Sequence, residues 1–375
     1  MQIGPLTPLE NGRTMTTATT LVLGANGFIG RWLTLELLNA GEHVAVGVRG
    51  GRDAGLRAWL GDHGAPDLTA LTTVAVDVSR PGLGLSPADE ERLADVRDVV
   101  NLAALYRFGL SRAEAVAVNV DGAVNAARWA AGRPRLRRLV HLSGYRVGRE
   151  ATAVHPLPDA DLRYRTEGAY EASKREGDAA VRVLAAQLGL PLTVVSPGVV
   201  IGHSNTGEAG QYIGLAPLVE QLWQGRLPAL AGSRRTFVPV VAVDHLAAFL
   251  AAAPRHDTGP VQLHTVLDPA TPPLPELIAT VARRLGVRAP RAVLPVGLVR
   301  RLPRRLTGAD PESLTFLSED RYDTASAERL EAAAGLAHPP VDELLGRWAL
   351  RLVADRFGAA DAVGTVPAGP STTGR

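Results

Sequence analysis

Tyr170 and Lys174 stand four residues apart in the stretch AYEASKREGD (169–178), an offset that on a helix brings two side chains onto one face within contact distance. The chain holds 40 lysines and arginines together, and Lys174 is the single lysine among them. Lysine is a compact ammonium on a flexible stem, whereas guanidinium is planar, wide and permanently charged. A site that needs a point charge beside a hydroxyl accepts the first and not the second. A composition rich in Ala, Gly, Arg and Pro suppresses lysine generally, so a lone solvated lysine is the ordinary alternative. Against it, only six tyrosines occur in the chain, which makes a tyrosine at this one offset uncommon by composition alone.

A second candidate lies near the start. The apolar run TTLVLG leads directly into GANGFIG and then into RWLTLELLNAG, which reads as strand, tight turn and helix. Glycines at such a turn let backbone approach a pyrophosphate, and the helix start offers free N–H groups and a favourable dipole. The loop Gly24, Asn26, Gly27, Phe28, Ile29 and Gly30 is therefore expected to hold a dinucleotide. The next strand, HVAVGVRGGRD, ends in Arg49 with Arg52 behind it and no carboxylate before Asp53. An acidic residue at this strand end suits the free ribose hydroxyl of NAD, and an arginine suits a 2′-phosphate. NADPH is the favoured cofactor, with Arg31 as a helper, and NAD stays open.

These elements need a scaffold. Between Leu21 and Ser196, apolar runs (TTLVLG, HVAVGV, LTTVAVD, DVVNLAA, RLVHLSG, LTVVSPG) alternate with helical patterns. That alternation predicts an α/β fold, a Rossmann doubly wound parallel sheet with helices on both faces. Beyond Gly198 the expectation is helix at 212–225, strand at 236–240, helix at 243–253, a strand at 260–265 returning to the sheet, and helices at 274–286, 325–335 and 340–357. The dinucleotide-binding domain is assigned to 19–200 plus 236–265, and a smaller, mostly helical substrate lobe to 201–235 and 266–358. Residues 1–18 and 359–375 read as a disordered extension and tail.

Composition narrows the function. Hydrophobic residues make up 46% and charged ones 21% of 375 residues, enough for a sizeable core, and the formal net charge is +2. The basic runs RPRLRR (133–138) and RRLPRR (300–305) lack interleaved aromatics, so nucleic acid is not an expected partner. Absent cysteines exclude disulfides and thiolate chemistry, and the nine histidines show no ligand spacing, so no metal is expected. No apolar stretch reaches the roughly 18 residues of a membrane span, and no signal peptide opens the chain, so a cytoplasmic location is expected.

GxxGxxG, the pair Asp77 and Val78, NLAALY, VNVDG, HLSGY, YEASK and VVSPGVVIG follow one another in an order and at distances that resemble the extended short-chain dehydrogenase/reductase family, over residues 19–258. Within it, DVSRPGLGLS (77–86), VIGHSNTGE (200–208) and FVPVVAVDHLAAFLA (237–251) are most similar to the thioester-reductase-like branch. The resemblance implies roles. Tyr170 would be the general acid that protonates a carbonyl oxygen, and Ser143 would donate to the same oxygen. Lys174 would bond the nicotinamide ribose and lower the tyrosine pKa. Asn119 would support the active site. Asp77 and Val78 would meet the adenine, Ala103 and Ala104 would line the cofactor channel, and Pro197, Gly198 and Val199 would meet the carboxamide.

Two departures matter. Leu23 replaces the usual threonine before Gly24. Gly144 and Tyr145 stand where dehydratases of the family carry an acidic pair, which disfavours elimination and leaves Tyr145 as a rival phenol. The leading expectation is an NADPH-dependent reductase of an aldehyde, ketone or acyl thioester. The alternative is an NAD-retaining epimerase or dehydrogenase of a nucleotide sugar or hydroxysteroid-like alcohol. A non-catalytic dinucleotide sensor would lack part of the set Ser143, Tyr170 and Lys174, which this chain keeps whole. Apolar stretches at 212–225 and 291–306 suggest a small-molecule substrate that is apolar or acyl with an anionic end. Helices at 111–131 and 165–189 match those that pair in homodimers of the family.

Overall fold

The computed structural model describes residues 17–106, 109–147, 155–301, 314 and 316–359. The extension and tail expected at 1–18 and 359–375 lie almost wholly outside the described residues, as does most of RRLPRR. A seven-stranded sheet forms the centre: β1 (Thr20–Leu23), β2 (Val44–Val48), β3 (Leu71–Ala75), β4 (Asp98–Asn101), β5 (Arg138–Leu142) and β6 (Leu192–Pro197), with Val261–Val266 added at one edge. Reading across from β3, the order is β3-β2-β1-β4-β5-β6 and then Val261–Val266, and every pair is parallel. β1, β2, β4 and β6 are buried along their whole length, because helices cover both faces, and their sequences are accordingly continuous apolar runs instead of alternating ones.

One face carries the helices Phe28–Asn39, Val243–His256 and Ala325–Ala334, whose apolar side chains pack with Val22, Val46, Val100 and Val140. The opposite face carries Asp121–Ala131 and Ala169–Leu188 over Leu21, Leu23, Val99 and Leu139. The lobe has a core of its own, in which Ala216–Trp223, Leu274–Leu285 and Val341–Ala354 meet around Leu277, Ile278, Leu345 and Trp348. The helix at 325–334 thus packs on the sheet layer, although its position in sequence falls in the stretch assigned to the substrate lobe.

Three local expectations need correction. The strand expected at 236–240 lies at Val240–Ala242 and pairs with Val199–Ile201 in a separate two-stranded sheet, while Phe237 forms only a bridge to Ser318. The helix expected at 165–189 is two helices, Ala160–Thr166 and Ala169–Leu188, because Gly168 takes φ +89° between them. The helix expected at 111–131 is continuous in direction but carries a π-helical turn at Val116–Val120.

Helix Ala325–Ala334 is tied to its neighbours by a buried carboxylate. Glu331 Oε1 accepts from His245 Nε2 at 2.9 Å and lies 3.3 Å from His338 Nε2, and the two imidazoles stack at 3.8 Å. Burial opposes ionisation of Glu331, but the two histidine hydrogen bonds outweigh it and bring the carboxyl down to about 2. A folded pKa below the unfolded one gives stability that is fully present above the unfolded value and lost as pH falls through the folded one. Glu331→Ala is therefore expected to lower the unfolding free energy by about 3 kcal/mol in urea titrations at neutral pH. The difference from wild type should shrink as pH falls from 4.5 toward 2.

Candidate active site

The chain reverses its direction of winding between β1 and β4, and a crevice opens beyond their carboxyl ends, where a doubly wound sheet binds ligands. Gly24 ends β1 there with φ +83°. A Cβ on it would sit 2.9 Å from the Ala103 nitrogen, and one on Gly30 would sit 2.3 Å from the Gly24 carbonyl oxygen. Gly27 caps helix Phe28–Asn39, which has no acidic residue in its first turn to occupy the free N–H groups. The loop thus has the bare backbone and positive helix end that a pyrophosphate requires. Asn26 donates to the Arg52 carbonyl at 3.0 Å and so ties the loop to the end of β2.

At that end Arg49 and Arg52 are exposed. Asp53, the nearest carboxylate in sequence, is engaged elsewhere: Arg57 Nε donates to it at 2.5 Å and the Thr73 hydroxyl also donates to it. Arg31 lies over the Trp59 ring, 5.4 Å from its centroid. Asp77 accepts from the Ser79 nitrogen at 3.1 Å and hydroxyl at 2.6 Å, and these bonds hold its carboxyl below the usual range. Val78 is buried and its carbonyl accepts from Asn125. Asn101 fixes the Ala103 nitrogen, and Ala104 lines the cavity.

That cavity, about 560 Å³, runs from the glycine loop over helix Ala169–Leu188 into the lobe. Tyr170 and Lys174 share one face of the helix and both line it. Lys174 is 6% exposed and donates to the Leu142 carbonyl at 2.7 Å. Burial lowers its pKa to about 8, against the opposing carboxylates Asp178 and Glu171. Burial also raises the Tyr170 phenol well above its ordinary 10, with Tyr106, Glu171 and Tyr145 adding to the effect. Desolvation outweighs the lowering expected from Lys174, so the net shift of the phenol is upward. The consequence is a phenol that keeps its proton, the form a general acid needs.

Ser143 lines the cavity with Tyr170 and Lys174, whereas Asn119 is buried outside that lining. Strand side chains alternate, so Ser143 faces the same side as His141, which lies near Lys174 and Arg182. The Ser143 hydroxyl is buried close to Asp178, whose ionisation it favours. Asn119 is 3% exposed and is not in the cavity wall. Its Oδ1 accepts from the Leu105 nitrogen at 2.8 Å, and its Nδ2 donates to the Leu105 carbonyl at 3.3 Å and to the Ser173 hydroxyl at 2.9 Å. Asn119 is a positioning residue. The π turn around it meets Gly177, where a Cβ would lie 2.1 Å from the Asn119 carbonyl oxygen. Neither this glycine nor Tyr106 was expected from the sequence, although Tyr106 stands in the quoted NLAALY.

Pro197, Gly198 and Val199 line the cavity, and a Cβ on Gly198 would come within 2.9 Å of the Pro239 carbonyl oxygen. The far wall is apolar, with Leu218, Leu230, Val238, Leu274 and Phe316 among its residues. The stretch 212–225 contributes to it as expected, and residues 302–306 of the second apolar stretch lie outside the described residues. Arg146 brings a cation into the wall, 3.8 Å from Glu171, with a buried Nη1 that has no partner among the described residues.

The family model described as Male sterility protein, an NAD-binding domain, matches residues 22–250. The chain belongs to that family. It is an extended short-chain dehydrogenase/reductase of the thioester-reductase-like branch, an NAD(P)-dependent oxidoreductase by fold and membership. A carboxylic acid reductase from Segniliparus rugosus is 32% identical over 211 residues, covering 49% of this chain and 18% of that protein. The isonitrile lipopeptide synthase of Mycobacterium tuberculosis is 31% identical over 221 residues, 52% of this chain and 8% of that protein. The chain thus spans less than a fifth of the length of either relative. Among solved structures, the terminal R domain from the myxalamid PKS-NRPS biosynthetic pathway superposes with a TM-score of 0.69 at 22% identity, covering 92% of both chains. Among the described residues, no helix is long and apolar enough to cross a membrane. His245, Glu331 and His338 form a group of metal-ligand type that sequence spacing does not show, since it comes from three separate segments.

Proposed function

We propose that the protein reduces the carbonyl of an apolar aldehyde, ketone or acyl thioester with NADPH, using Tyr170 as general acid. The observation that carries this reading is the Tyr170 phenol and the buried Lys174 side chain on one helical turn, both lining a cavity whose far wall is apolar. Gly24, Gly27 and Gly30 would hold the pyrophosphate, Arg49 and Arg52 the 2′-phosphate, and Lys174 the nicotinamide ribose. Bound there, the cofactor supplies a hydride to the carbonyl carbon. Tyr170 gives its proton to the carbonyl oxygen, and the ammonium of Lys174 stabilises the phenolate left behind. The apolar walls exclude water and strengthen both effects. Arg146 is placed to pair with an anionic group of the substrate.

The relatives named as carboxylic acid reductase and isonitrile lipopeptide synthase support acyl substrates and a place in secondary metabolism. The apolar far wall suits an acyl chain better than a nucleotide sugar, so the epimerase alternative ranks second.

Cofactor choice is testable on the β2 end. Removing Arg49 and Arg52 together by alanine substitution is expected to raise the KM for NADPH about tenfold or more and leave that for NADH within about twofold. Steady-state kinetics with a fixed medium-chain aldehyde checks it. Equal effects on both cofactors would assign the arginines no 2′-phosphate role.

A further inference from the structure

Helix Ala169–Leu188 carries Tyr170, Lys174, Asp178 and Arg182 at successive four-residue intervals, so all four share one face. The last three are buried, at 6%, 3% and 4% exposure. A buried charge persists only when it is paired, because water no longer solvates it. Of these three, Lys174 is the one that lines the cavity. Its ammonium brings three donors, and the Leu142 carbonyl that takes one of them at 2.7 Å is neutral. The opposing charge has to come from a carboxylate.

Two carboxylates lie close to it. Glu171 already answers two other cations, Arg146 at 3.8 Å and Arg175 at 3.5 Å. Asp178 is engaged on one side only. Its Oδ2 meets Arg182 at 2.8 Å, whereas its Oδ1 is buried with no hydrogen-bond partner among the described residues. Burial opposes ionisation of Asp178, and the neighbouring Arg182, Lys174 and Ser143 hydroxyl favour it. His141, on β5, also lies near Lys174, but burial holds this imidazole neutral, with Lys174 and Arg182 adding to the effect. Arg182 is therefore the competing cation and Asp178 the shared anion.

We infer that Asp178 is a positioning residue for the reduction: shared between Lys174 and Arg182, it supplies the opposing charge that keeps Lys174 an ammonium at the cavity. This rests on the carbonyl-reduction reading above, in which that ammonium stabilises the phenolate left by Tyr170. Asp178 acts through the lysine and is not itself part of the cavity wall. Without it, Lys174 and Arg182 share a buried space with no anion between them, and the lysine releases its proton at lower pH. Removing Arg182 acts in the opposite direction, because the whole carboxylate then falls to Lys174.

The test uses the fact that Lys174 is the single lysine of the chain. Protein isotope-labelled at the lysine ε-carbon gives one lysine signal by NMR, and its pH titration reads this residue directly. The wild-type midpoint is expected at about 8. Asp178→Asn should lower it by about one unit or more, and Arg182→Met should raise it by about half a unit or more. In each protein the alkaline limb of kcat/KM, measured with NADPH and a medium-chain aldehyde, should follow the NMR midpoint. Asp178→Asn should accordingly regain activity as pH falls toward 6, whereas a merely structural defect would lower the rate equally at every pH. Midpoints within about 0.3 unit of wild type in both variants would overturn the inference, and so would a limb that stays fixed while the midpoints move. Carbonyl reduction survives either result. A wild-type protein whose lysine titrates but which reduces no aldehyde at any pH would overturn the reading, and the role of Asp178 in reduction with it.

Discussion

Tyr170→Phe is expected to reduce hydride transfer to a carbonyl by about 10²–10⁴, the range for losing a positioned general acid. NADPH binding should stay near wild type, because the phenol would contact the substrate and the ribose falls to Lys174. Stopped-flow measurement of NADPH oxidation, paired with fluorescence titration of the cofactor, separates the two effects. Burial, with Tyr106, Glu171 and Tyr145 adding to it, raises the phenol, which holds its proton throughout the neutral range until a carbonyl oxygen takes it. Water cannot readily replace it in a cavity whose far wall is Leu218, Leu230, Val238, Leu274 and Phe316.

Lys174→Arg is the conservative exchange on paper and should be among the most damaging in practice, lowering kcat/KM for reduction at least about a hundredfold. The lysine is 6% exposed, with its Nζ held 2.7 Å from the Leu142 carbonyl. A guanidinium there would bring five donors and a wide plane into a space that satisfies one point charge, leaving buried donors without partners. The pH profile tests the same residue without mutation. Since burial brings the Lys174 pKa to about 8, the ammonium is present below that value and is lost as pH rises through it. Reduction is expected to fall on the alkaline side from about 8, and Tyr170 cannot be the cause, because its own pKa lies well above 10. The stability linkage has the opposite sign. A folded pKa of about 8 against 10.5 unfolded means that the charged lysine costs stability below 8, and that the cost fades as pH rises toward 10.5. Activity and stability should therefore move apart across this window, which distinguishes titration of Lys174 from general alkaline unfolding.

Residues whose role is dictated by backbone or by spacing along one element were legible from the sequence. Gly24 and Gly30 are required because a Cβ on either would strike backbone, and the strand–loop–helix pattern around them signals this. Tyr170 and Lys174 sit on one helix, so the period alone places them together. The six apolar runs form six adjacent strands, because parallel strands covered on both faces leave a simple apolar mark, and PVQLHT joins the same sheet at its edge. What escaped depends on contacts between distant segments. Tyr106 meets Tyr170 across 64 positions of sequence, with nothing local to announce it. Gly177 resembles any helical glycine until the π turn at Asn119 is seen to press on it. The break at Gly168 required a positive φ that glycine permits but does not advertise.

Carbonyl reduction by hydride is the central claim, and transfer of label tests it most directly. NADPH deuterated at the nicotinamide C4 would be mixed with the protein and a medium-chain aldehyde or acyl thioester, and the product examined by mass spectrometry. The account predicts consumption of NADPH and a reduced product carrying deuterium on the former carbonyl carbon, with both absent in Tyr170→Phe. Wild-type protein that purifies with NAD held tightly, leaves the labelled NADPH unconsumed and returns every carbonyl unchanged would contradict it and favour the epimerase reading.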